Sequence, residues 1–339
     1  SDHKNNKFII KIMRESCDKF FLEGQIDFLK FIDNSETSFP VPKIYKSING
    51  NDFEIIKDED ENNRYVWIVK KIEGELFSDF SPKTNELMID LGKKIGKLDL
   101  FSKRLRKNLK INDNKWNLTR PYWIENHFPE IKDLKIKNSL IEIMNDFKGI
   151  ASNLNNLKSY WIHNDLNDQN LLVKHDLGNL AEINGILDFG DLAFCPRICN
   201  IAICSSYLMV LPDVGINKQL HFLKGYHDTN PISESELEIL YTLIMVRIAV
   251  SYVNSVVMSE KKPKDPYVII SQKDTENFLL NIKDNKDFII RENKKDMEFG
   301  LSKNLSESML DRLYIDETRL KAIIMSLEEI IALPDPIGT

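Results

Sequence analysis

The sequence has few cysteines and no cluster of positive charge. None of its four cysteines forms a Cys-x-x-Cys pair, whereas structural zinc sites usually combine close pairs of ligands. We therefore interpret the cysteines as small buried residues rather than as zinc ligands. The formal net charge is −6, and a nucleic-acid-binding surface needs clustered lysine and arginine. We expect no nucleic-acid partner.

The sequence also lacks an apolar run that is both long and free of charge. The longest apolar stretch, residues 237–258, contains Glu238, Arg247 and Asn254. A charge at the centre of a membrane span costs about 3 kcal/mol, so this stretch predicts a buried helix. The N-terminal residues are polar and do not form a basic-then-apolar leader. The expectation is a cytoplasmic protein without membrane contact.

What the sequence does have is a pair of polar motifs, each at the end of an apolar run. The apolar runs are residues 170–173 and 183–187, and the motifs read HNDLNDQN and LDFGD. Kinases carry H-x-D-x-x-x-x-N and then D-F-G. Here those positions are held by His163, Asp165, Asn170 and Asp188. A chance hairpin with acidic turns is the alternative, because Asp and Asn are common in turns, but two motifs in this order favour phosphoryl transfer.

Each of these side chains has a distinct expected task. Phosphoryl transfer needs Mg²⁺, which prefers hard oxygen ligands, and Asn170 and Asp188 supply such oxygens. A carboxylate must also orient the attacking hydroxyl and accept its proton. Asp165, in the same loop as Asn170, is the candidate for this base. In kinases the histidine of this motif braces the metal-binding turn, and His163 is interpreted as such a structural residue.

The two motifs resemble those of the aminoglycoside phosphotransferase and choline kinase superfamily, whose loop usually reads H-G-D-x-x-x-x-N. Within this superfamily the sequence is most similar to hydroxylysine kinases, over about residues 7–272. Asn164 replaces the usual glycine of the loop, and Asp191 retains the second acid of the D-F-x-D motif. The resemblance implies an α+β, protein-kinase-like fold with two lobes.

The resemblance also assigns residues to the two lobes. It implies a small nucleotide-binding lobe over residues 1–72 and a large, mostly helical catalytic lobe over residues 73–272. Lys11, in the strand-like run 8–13, is expected to hold the nucleotide phosphates and to pair with Glu23 of the following helix. The family places two strands and a phosphate-covering loop before this lysine, and only ten residues precede it here. We therefore expect a truncated small lobe with weaker nucleotide binding and poorer exclusion of water.

Two further residues are candidates for contacts with the substrate. Arg247 lies in an apolar helical pattern, so it needs a partner or must line a cavity. It either braces the core or binds a substrate carboxylate. Asp191, the second acid after D-F-G, is the other candidate. The letters NIA at residues 200–202 stand where the family often has Asp-Leu-Ala, which weakens one expected buried ion pair.

The C-terminal part of the sequence has a different character. Residues 292–339 resemble the N-terminal helices of γ-glutamyl phosphate reductases, relatives of aldehyde dehydrogenases, through the letters LSESMLDRL and LPDPIG. The catalytic cysteine and dinucleotide site of that family lie further along the chain and are not in this sequence. We expect residues 273–339 to form an added helical segment whose apolar faces are buried by docking or by formation of a homodimer.

These patterns predict a small-molecule kinase that uses Mg²⁺ and transfers the γ-phosphate of ATP or GTP to a hydroxyl of an amino-acid-like or amino-alcohol substrate. Backbone groups read the nucleotide base in such folds, so the sequence does not choose between ATP and GTP. Two alternatives stay open. One is a catalytically impaired nucleotide-binding module, which the missing covering loop favours. The other is the N-terminal part of a bifunctional kinase and γ-glutamyl phosphate reductase, which the C-terminal segment favours.

Overall fold

The structure is a computed structural model, and it describes residues 7–36, 38–105, 109, 115–175, 180–211, 213–261, 275–276 and 278–280. Within these residues, a smaller part rich in β-strands precedes a larger part rich in α-helices. The predicted helical segment at residues 273–339, with its proposed dimer contacts, lies almost entirely outside the described residues.

The smaller part is built on an antiparallel β-sheet. Its strands are β1 (Phe8–Ile12), β2 (Ile44–Tyr45), β3 (Glu54–Lys57) and β4 (Asn63–Lys70). Strand β4 is central, with β1 along one edge and both β2 and β3 along the other. The register places Lys11 opposite Trp67. Among the strands that the structure describes, the lysine-bearing strand therefore lies at an edge of this sheet.

Helix α1 (Lys19–Ser35) follows β1 and includes the predicted helix over residues 20–32. The side chain of Asp18 caps its N-terminus by accepting a hydrogen bond from the backbone N–H of Phe20 at 2.8 Å, as short polar side chains do at this position. One face of α1 is buried and contains Leu22, Gln25, Ile26, Phe28, Leu29 and Ile32. This apolar spacing is what the sequence predicts for an amphipathic helix.

The turn at Gly50 corrects one prediction. The letters NGND between two strand-like runs predict a hairpin, but β2 and β3 each pair with β4 rather than with one another. The turn itself forms, with a φ of 80° at Gly50 and a hydrogen bond of 2.8 Å from Ser47 N to Asn51 O. Strand β4 is long enough to pair with both short strands, one after the other.

The larger part contains five α-helices among the residues described. They are α2 (Asn85–Ser102), α3 (Leu134–Asn156), α4 (Ile198–Val210), α5 (Gly215–Thr229) and α6 (Glu234–Lys261). Short 3₁₀ helices lie at Pro121–Glu130 and Phe189–Asp191. The apolar periodicity of the sequence predicts α2, α3, α4 and α6. Helix α5 has a weaker apolar pattern, and the sequence does not predict it.

Three small β-pairings frame the motifs. Strand β7 (Leu171–His175) lies between β5 (Glu75–Leu76) and β8 (Ala181–Ile186), and all neighbours are antiparallel. Strand β6 (Ser159–Ile162) pairs with β9 (Ala193–Pro196). The first motif therefore lies between β6 and β7, and the second lies between β8 and β9.

Helix α6 is a core helix of the larger part. Among the described helices, it alone has the length and apolar composition to cross a membrane, and most of its apolar residues are buried inside the protein. It packs against α3 and α4. The buried helix that the charged residues of this stretch predict is therefore present.

Helices α2 and α5 approach so closely that two positions require glycine. A Cβ built on Gly92 would lie 2.1 Å from the carbonyl oxygen of Phe222, and one built on Gly225 would lie 2.1 Å from that of Ile89. A methyl group at either position would push the two helix backbones apart. By contrast, the Cβ position of Gly149 on α3 has nothing within 4 Å.

We expect Gly92→Ala to lower the free energy of unfolding by about 1–3 kcal/mol, which is the usual cost of overpacking a core. The matched control is Gly149→Ala, which we expect to raise it by about 0.4–1 kcal/mol because alanine favours the helix and meets no neighbour. Denaturant unfolding of both variants measures the difference. Equal stability of the two variants would contradict the close approach of α2 and α5.

Candidate active site

The ends of two paired strands bring the polar motifs together. Strand β7 begins directly after Asn170, and β8 ends just before Leu187 and Asp188. The backbone N–H of Leu187 donates a hydrogen bond to the carbonyl oxygen of Asn170 at 2.7 Å. The side chains of Asn170 and Asp188 therefore start from neighbouring points of the backbone, which is the arrangement that the motif spacing predicts.

The carboxylate of Asp165 is held on both of its oxygens. Its Oδ2 accepts hydrogen bonds from Nδ2 of Asn170 at 2.9 Å and from Nδ2 of Asn167 at 3.1 Å. Its Oδ1 accepts one from Nη2 of Arg247 at 3.2 Å. The side chain keeps 21% of its surface exposed. Asp165 is therefore fixed in direction and still open to a ligand.

Asn164 adopts a backbone conformation that explains which residues suit this position. Its φ is 66°, in the left-handed region, where glycine is free of strain and asparagine is among the better tolerated alternatives. The substitution of asparagine for the glycine of the usual motif therefore preserves the turn. The side chain is fully buried, and its amide atoms have no hydrogen-bond partner within the described part of the chain.

His163 braces the loop from inside. Its Nδ1 accepts a hydrogen bond from the backbone N–H of Asp165 at 3.2 Å, so Nε2 carries the proton and donates to the carbonyl oxygen of Leu187 at 2.7 Å. Complete burial lowers the pKa of His163, which favours the neutral ring. The imidazole links the two motifs, and this contact agrees with the predicted structural role.

Asp188 lies in a turn whose next two residues, Phe189 and Gly190, fit closely against their surroundings. Its φ is 54°, again in the left-handed region. The buried ring of Phe189 packs between His163, at 4.5 Å, and Phe28 of α1, at 5.7 Å between ring centres. A Cβ at Gly190 would lie only 3.1 Å from Oδ1 of Asp188. The side chain of Asp188 itself keeps 58% of its surface exposed.

Lys11 reaches the same turn from the smaller part. Its Nζ lies 3.7 Å from Oδ1 of Asp188 and 5.4 Å from the centre of the Trp67 ring. The predicted partner, Glu23, instead forms an ion pair of 3.4 Å with Lys19. Residues four apart share one face of a helix, which accounts for this pairing. The structure therefore brings Lys11 to Asp188 and does not bring Glu23 to Lys11.

The oxygen atoms at this point suit Mg²⁺. Since Nδ2 of Asn170 donates to Asp165, the amide oxygen of Asn170 is the atom left to face a cation. In the described part of the chain, no group of three or more His, Cys, Asp or Glu side chains could hold a metal by itself. Mg²⁺ typically binds one or two protein oxygens together with nucleotide phosphates and water. These residues fit such a shared site.

Arg247 is enclosed next to Asp165. Its guanidinium carbon lies 4.8 Å from the ring centre of Trp116 and 5.4 Å from that of Tyr207, and Nη2 also donates to the hydroxyl of Tyr207 at 2.8 Å. The side chain is 2% exposed. Its Nε and Nη1 have no hydrogen-bond partner among the described residues. The contact with Asp165 agrees with the bracing role. A ligand would reach the two remaining donors only if the enclosing side chains moved.

Asp191 adds a further acid close to the site. Burial raises its pKa to about 6, and the negative charges of Asp165 and Asp188 act in the same direction. The positive charges of Arg247 and Arg14 act in the opposite direction. The acids therefore repel one another, and a cationic group of a ligand placed here would be stabilised.

Sequence reasoning missed two side chains that complete these contacts. Asn167 lies inside the first motif, at a position that the pattern H-x-D-x-x-x-x-N leaves unspecified. Tyr207 lies in an apolar helical run, where a tyrosine usually indicates core packing. The only available signal for Tyr207 was its hydroxyl group, which needs a partner when it is buried.

Structures with a similar fold are small-molecule kinases. An amicoumacin kinase solved with AMP-PNP, Ca²⁺ and Ami has a TM-score of 0.62 at 18% identity, over 83% of this chain and 84% of that chain. A microcompartment-associated aminopropanol kinase has a TM-score of 0.59 at 14% identity, over 83% of this chain and 87% of that chain. At these identities the likeness establishes the fold alone. The predicted protein-kinase-like fold is confirmed.

Related sequences cover parts of the chain. Hydroxylysine kinase of Xenopus laevis is 26% identical over 206 residues, which are 56% of this chain and 54% of the relative. The C-terminal segment matches γ-glutamyl phosphate reductase of Dictyoglomus thermophilum, 45% identical over 85 residues, which are 23% of this chain and 20% of that protein. Both predicted resemblances are confirmed. The chain spans about half the length of the hydroxylysine kinase and about a fifth of the length of the γ-glutamyl phosphate reductase.

The family comparison covers both polar motifs. The model of the phosphotransferase enzyme family, APH, matches residues 2–230. This range is more than half of the chain and includes Lys11, Asp165, Asn170, Asp188 and Asp191. The chain therefore belongs to the APH phosphotransferase enzyme family.

Proposed function

We propose that this protein is a Mg²⁺-dependent phosphotransferase that moves the γ-phosphate of ATP or GTP to a hydroxyl of a small amino-acid-like or amino-alcohol acceptor. The observation that carries the proposal is the meeting of Asp165, Asn170 and Asp188 at adjoining turns, with Lys11 Nζ 3.7 Å from Asp188. Membership of the phosphotransferase family and the relation to hydroxylysine kinases support the same reaction.

The donor nucleotide binds, in this proposal, between Lys11 and the turn at Asp188. When bound, Mg²⁺ neutralises charge on the phosphate oxygens and polarises the γ-phosphate. Asp188 and Asn170 would hold the ion through a carboxylate and an amide oxygen. Lys11 pairs with the phosphates, and its present contact with Asp188 keeps its ammonium group close to where they bind.

The acceptor hydroxyl approaches the exposed side of Asp165. The carboxylate orients the hydroxyl and takes its proton while the oxygen attacks the γ-phosphorus. A new O–P bond forms, the bond from the γ-phosphorus to the β–γ bridging oxygen breaks, and a nucleoside diphosphate leaves. Hydrogen bonds from Asn167, Asn170 and Arg247 fix the carboxylate. This matters because a misplacement of about 1 Å can cost about 100-fold in rate.

The charges around Asp165 favour an acceptor that carries an amine. Asp191 lies among other acids, so an ammonium group near it would relieve their mutual repulsion. The positive charges of Arg247 and Arg14 act against this preference, and two donors of Arg247 have no partner among the described residues. A carboxylate on the acceptor would satisfy them if the enclosing side chains moved. The proposed acceptor class is therefore an amino alcohol or a hydroxy amino acid.

An acceptor panel tests the proposed function. The purified chain, with Mg²⁺ and either ATP or GTP, is assayed for transfer of labelled γ-phosphate to hydroxylysine, homoserine, choline, simple amino alcohols and aminoglycosides. We expect transfer to at least one amine-bearing alcohol, and no transfer when Mg²⁺ is omitted. Transfer that favours neutral alcohols without an amine would contradict the proposed acceptor class.

The two roles open to Arg247 predict different kinetics. Because Nη2 holds Asp165, we expect Arg247→Met to lower kcat by up to about 100-fold for every acceptor alike. The control is Tyr207→Phe, which keeps the ring beside the guanidinium and removes only the hydroxyl, and should have a smaller effect. Steady-state kinetics with hydroxylysine and with an amino alcohol that lacks the carboxylate measure both. A rise in KM confined to the carboxylate-bearing acceptor would instead assign Arg247 to substrate binding.

A nucleotide-binding module without efficient turnover is the second candidate, and one observation favours it. Glu23 pairs with Lys19 and not with Lys11, so the ion pair expected to order Lys11 is missing from this structure. A thermal-shift titration with Mg²⁺ and ATP separates the two candidates when it is combined with the acceptor panel. Nucleotide binding without transfer to any acceptor would favour the module.

A further inference from the structure

A buried polar cluster contacts the loop that carries Asp165. Asp99 on α2, Asn200 on α4 and Tyr226 on α5 are each at most 2% exposed. The carboxylate of Asp99 accepts hydrogen bonds from Nδ2 of Asn200 at 2.9 Å and from the hydroxyl of Tyr226 at 2.7 Å. Oδ1 of Asn200 in turn accepts a hydrogen bond from the backbone N–H of Asn164 at 3.2 Å.

Asn164 is the residue that this chain of hydrogen bonds restrains. Its left-handed φ of 66° is a conformation that a residue other than glycine keeps only when the surroundings hold it. Asp165 follows directly, so the turn at Asn164 sets the direction of the Asp165 carboxylate. The contact from Asn200 therefore acts on the backbone next to the proposed base.

The ionised carboxylate of Asp99 decides how the amide of Asn200 is oriented. A carboxylate only accepts hydrogen bonds, whereas an amide side chain can either donate or accept. Asn200 must therefore turn its nitrogen to Asp99, which leaves its oxygen facing the N–H of Asn164. We propose that Asp99 and Asn200 are positioning residues for Asp165, an inference that rests on the proposed function of Asp165 as the base.

The protonation state of the Asp99 carboxylate determines the pH at which the proposal is tested. Burial raises the pKa of Asp99 to about 7, while hydrogen bonds from Tyr226 and Asn200 and the positive charges of Arg197 and Lys103 lower it. Measurements well above this pH keep the carboxylate ionised and therefore unable to donate. The orientation of the Asn200 amide is then fixed by Asp99.

Exchanging the side chains of Asp99 and Asn200 tests the inference. Asp99→Asn leaves two amides with no fixed orientation, and Asn200→Asp places two carboxylates in hydrogen-bond contact, where like charges repel. The double variant Asp99→Asn/Asn200→Asp restores every pairing. Its new amide at position 99 can donate to position 200 and accept from Tyr226, and its new carboxylate accepts from the N–H of Asn164.

We expect each single variant to lower kcat by about 10- to 100-fold with little change in the KM of the acceptor, since a misplaced base slows the chemical step. Hydrogen-exchange protection of the Asn164 N–H should fall about fivefold, which corresponds to the typical net contribution of one hydrogen bond. The double variant should recover most of both quantities. Thermal unfolding of all three variants reports on folding.

Two results would overturn the inference. One is a folded double variant whose kcat and Asn164 protection are no better than those of the single variants. The other is a folded Asp99→Asn variant that keeps wild-type kcat and protection. The exchange measurement also separates this inference from the proposed function. Loss and recovery of Asn164 protection without turnover in any variant or in the wild type would support the hydrogen-bond chain and reject the proposed chemistry.

Discussion

Replacement of Asp165 by asparagine is expected to lower kcat by about 10²- to 10⁴-fold, the range that removal of a general base typically produces. The asparagine side chain keeps the size of the carboxylate but cannot accept the proton of the acceptor hydroxyl. Nucleotide binding should change little, because the proposed phosphate and metal contacts come from Lys11, Asn170 and Asp188. Steady-state kinetics with the best acceptor measures kcat, and a thermal-shift titration with Mg²⁺ and nucleotide measures binding.

The control for this prediction is Asp168→Asn. Asp168 carries the same chemical group three residues further along the same loop and has no part in the proposed chemistry. Its variant should keep kcat within a few-fold of the wild type, while Asp165→Asn does not. An Asp165→Asn variant that keeps kcat as close to the wild type as Asp168→Asn does would mean that Asp165 is not the base.

Replacement of Asp188 by asparagine is expected to affect binding as well as turnover. The carboxylate is the only charged protein ligand of the proposed metal site, and metal stabilisation of the reacting phosphate is worth several kcal/mol. At about 1.4 kcal/mol for each factor of ten, kcat/KM for the nucleotide should fall by at least about 100-fold. Nucleotide titrations with and without Mg²⁺ measure the binding part of this loss.

Removal of the metal provides the matched control for Asp188. The wild type should bind nucleotide more tightly with Mg²⁺ than without it, and the Asp188→Asn variant should lose most of this difference. Asp168→Asn should retain it. A variant of Asp188 that still gains the wild-type increment from Mg²⁺ would exclude this carboxylate as a ligand.

The local part of the site could be predicted because its residues lie close together in the sequence. Asn170 and Asp188 adjoin apolar strand-like runs, and such runs pair when a short polar turn joins them. The structure contains that pair as β7 and β8. The left-handed turn at Asn164 could also be anticipated, since the corresponding position in the resembled motif is glycine.

The contacts between distant segments could not be predicted in the same way. Asp99 and Asn200 are 101 residues apart, and Arg247 is 82 residues from Asp165. A buried carboxylate within an apolar helical pattern does not indicate its partner, because many packings would satisfy it. For Glu23 the difficulty is different, because the family pattern names a partner that Glu23 does not contact in the structure. The family pattern predicts Lys11 as its partner, while the nearer Lys19 on the same helix face takes that place in the structure.

The convergence of Asn170 and Asp188 on one nucleotide-bound cation can be measured directly with Mn²⁺ in place of Mg²⁺. Paramagnetic broadening of assigned amide resonances is recorded after Mn²⁺ is added with the non-hydrolysable nucleotide AMP-PNP. We predict strong broadening at Asn170, Asp188 and Lys11 that requires the nucleotide, while the acidic turn at residues 58–61 stays sharp. Broadening that is independent of nucleotide, or that spares both Asn170 and Asp188, would contradict the proposed phosphotransfer site.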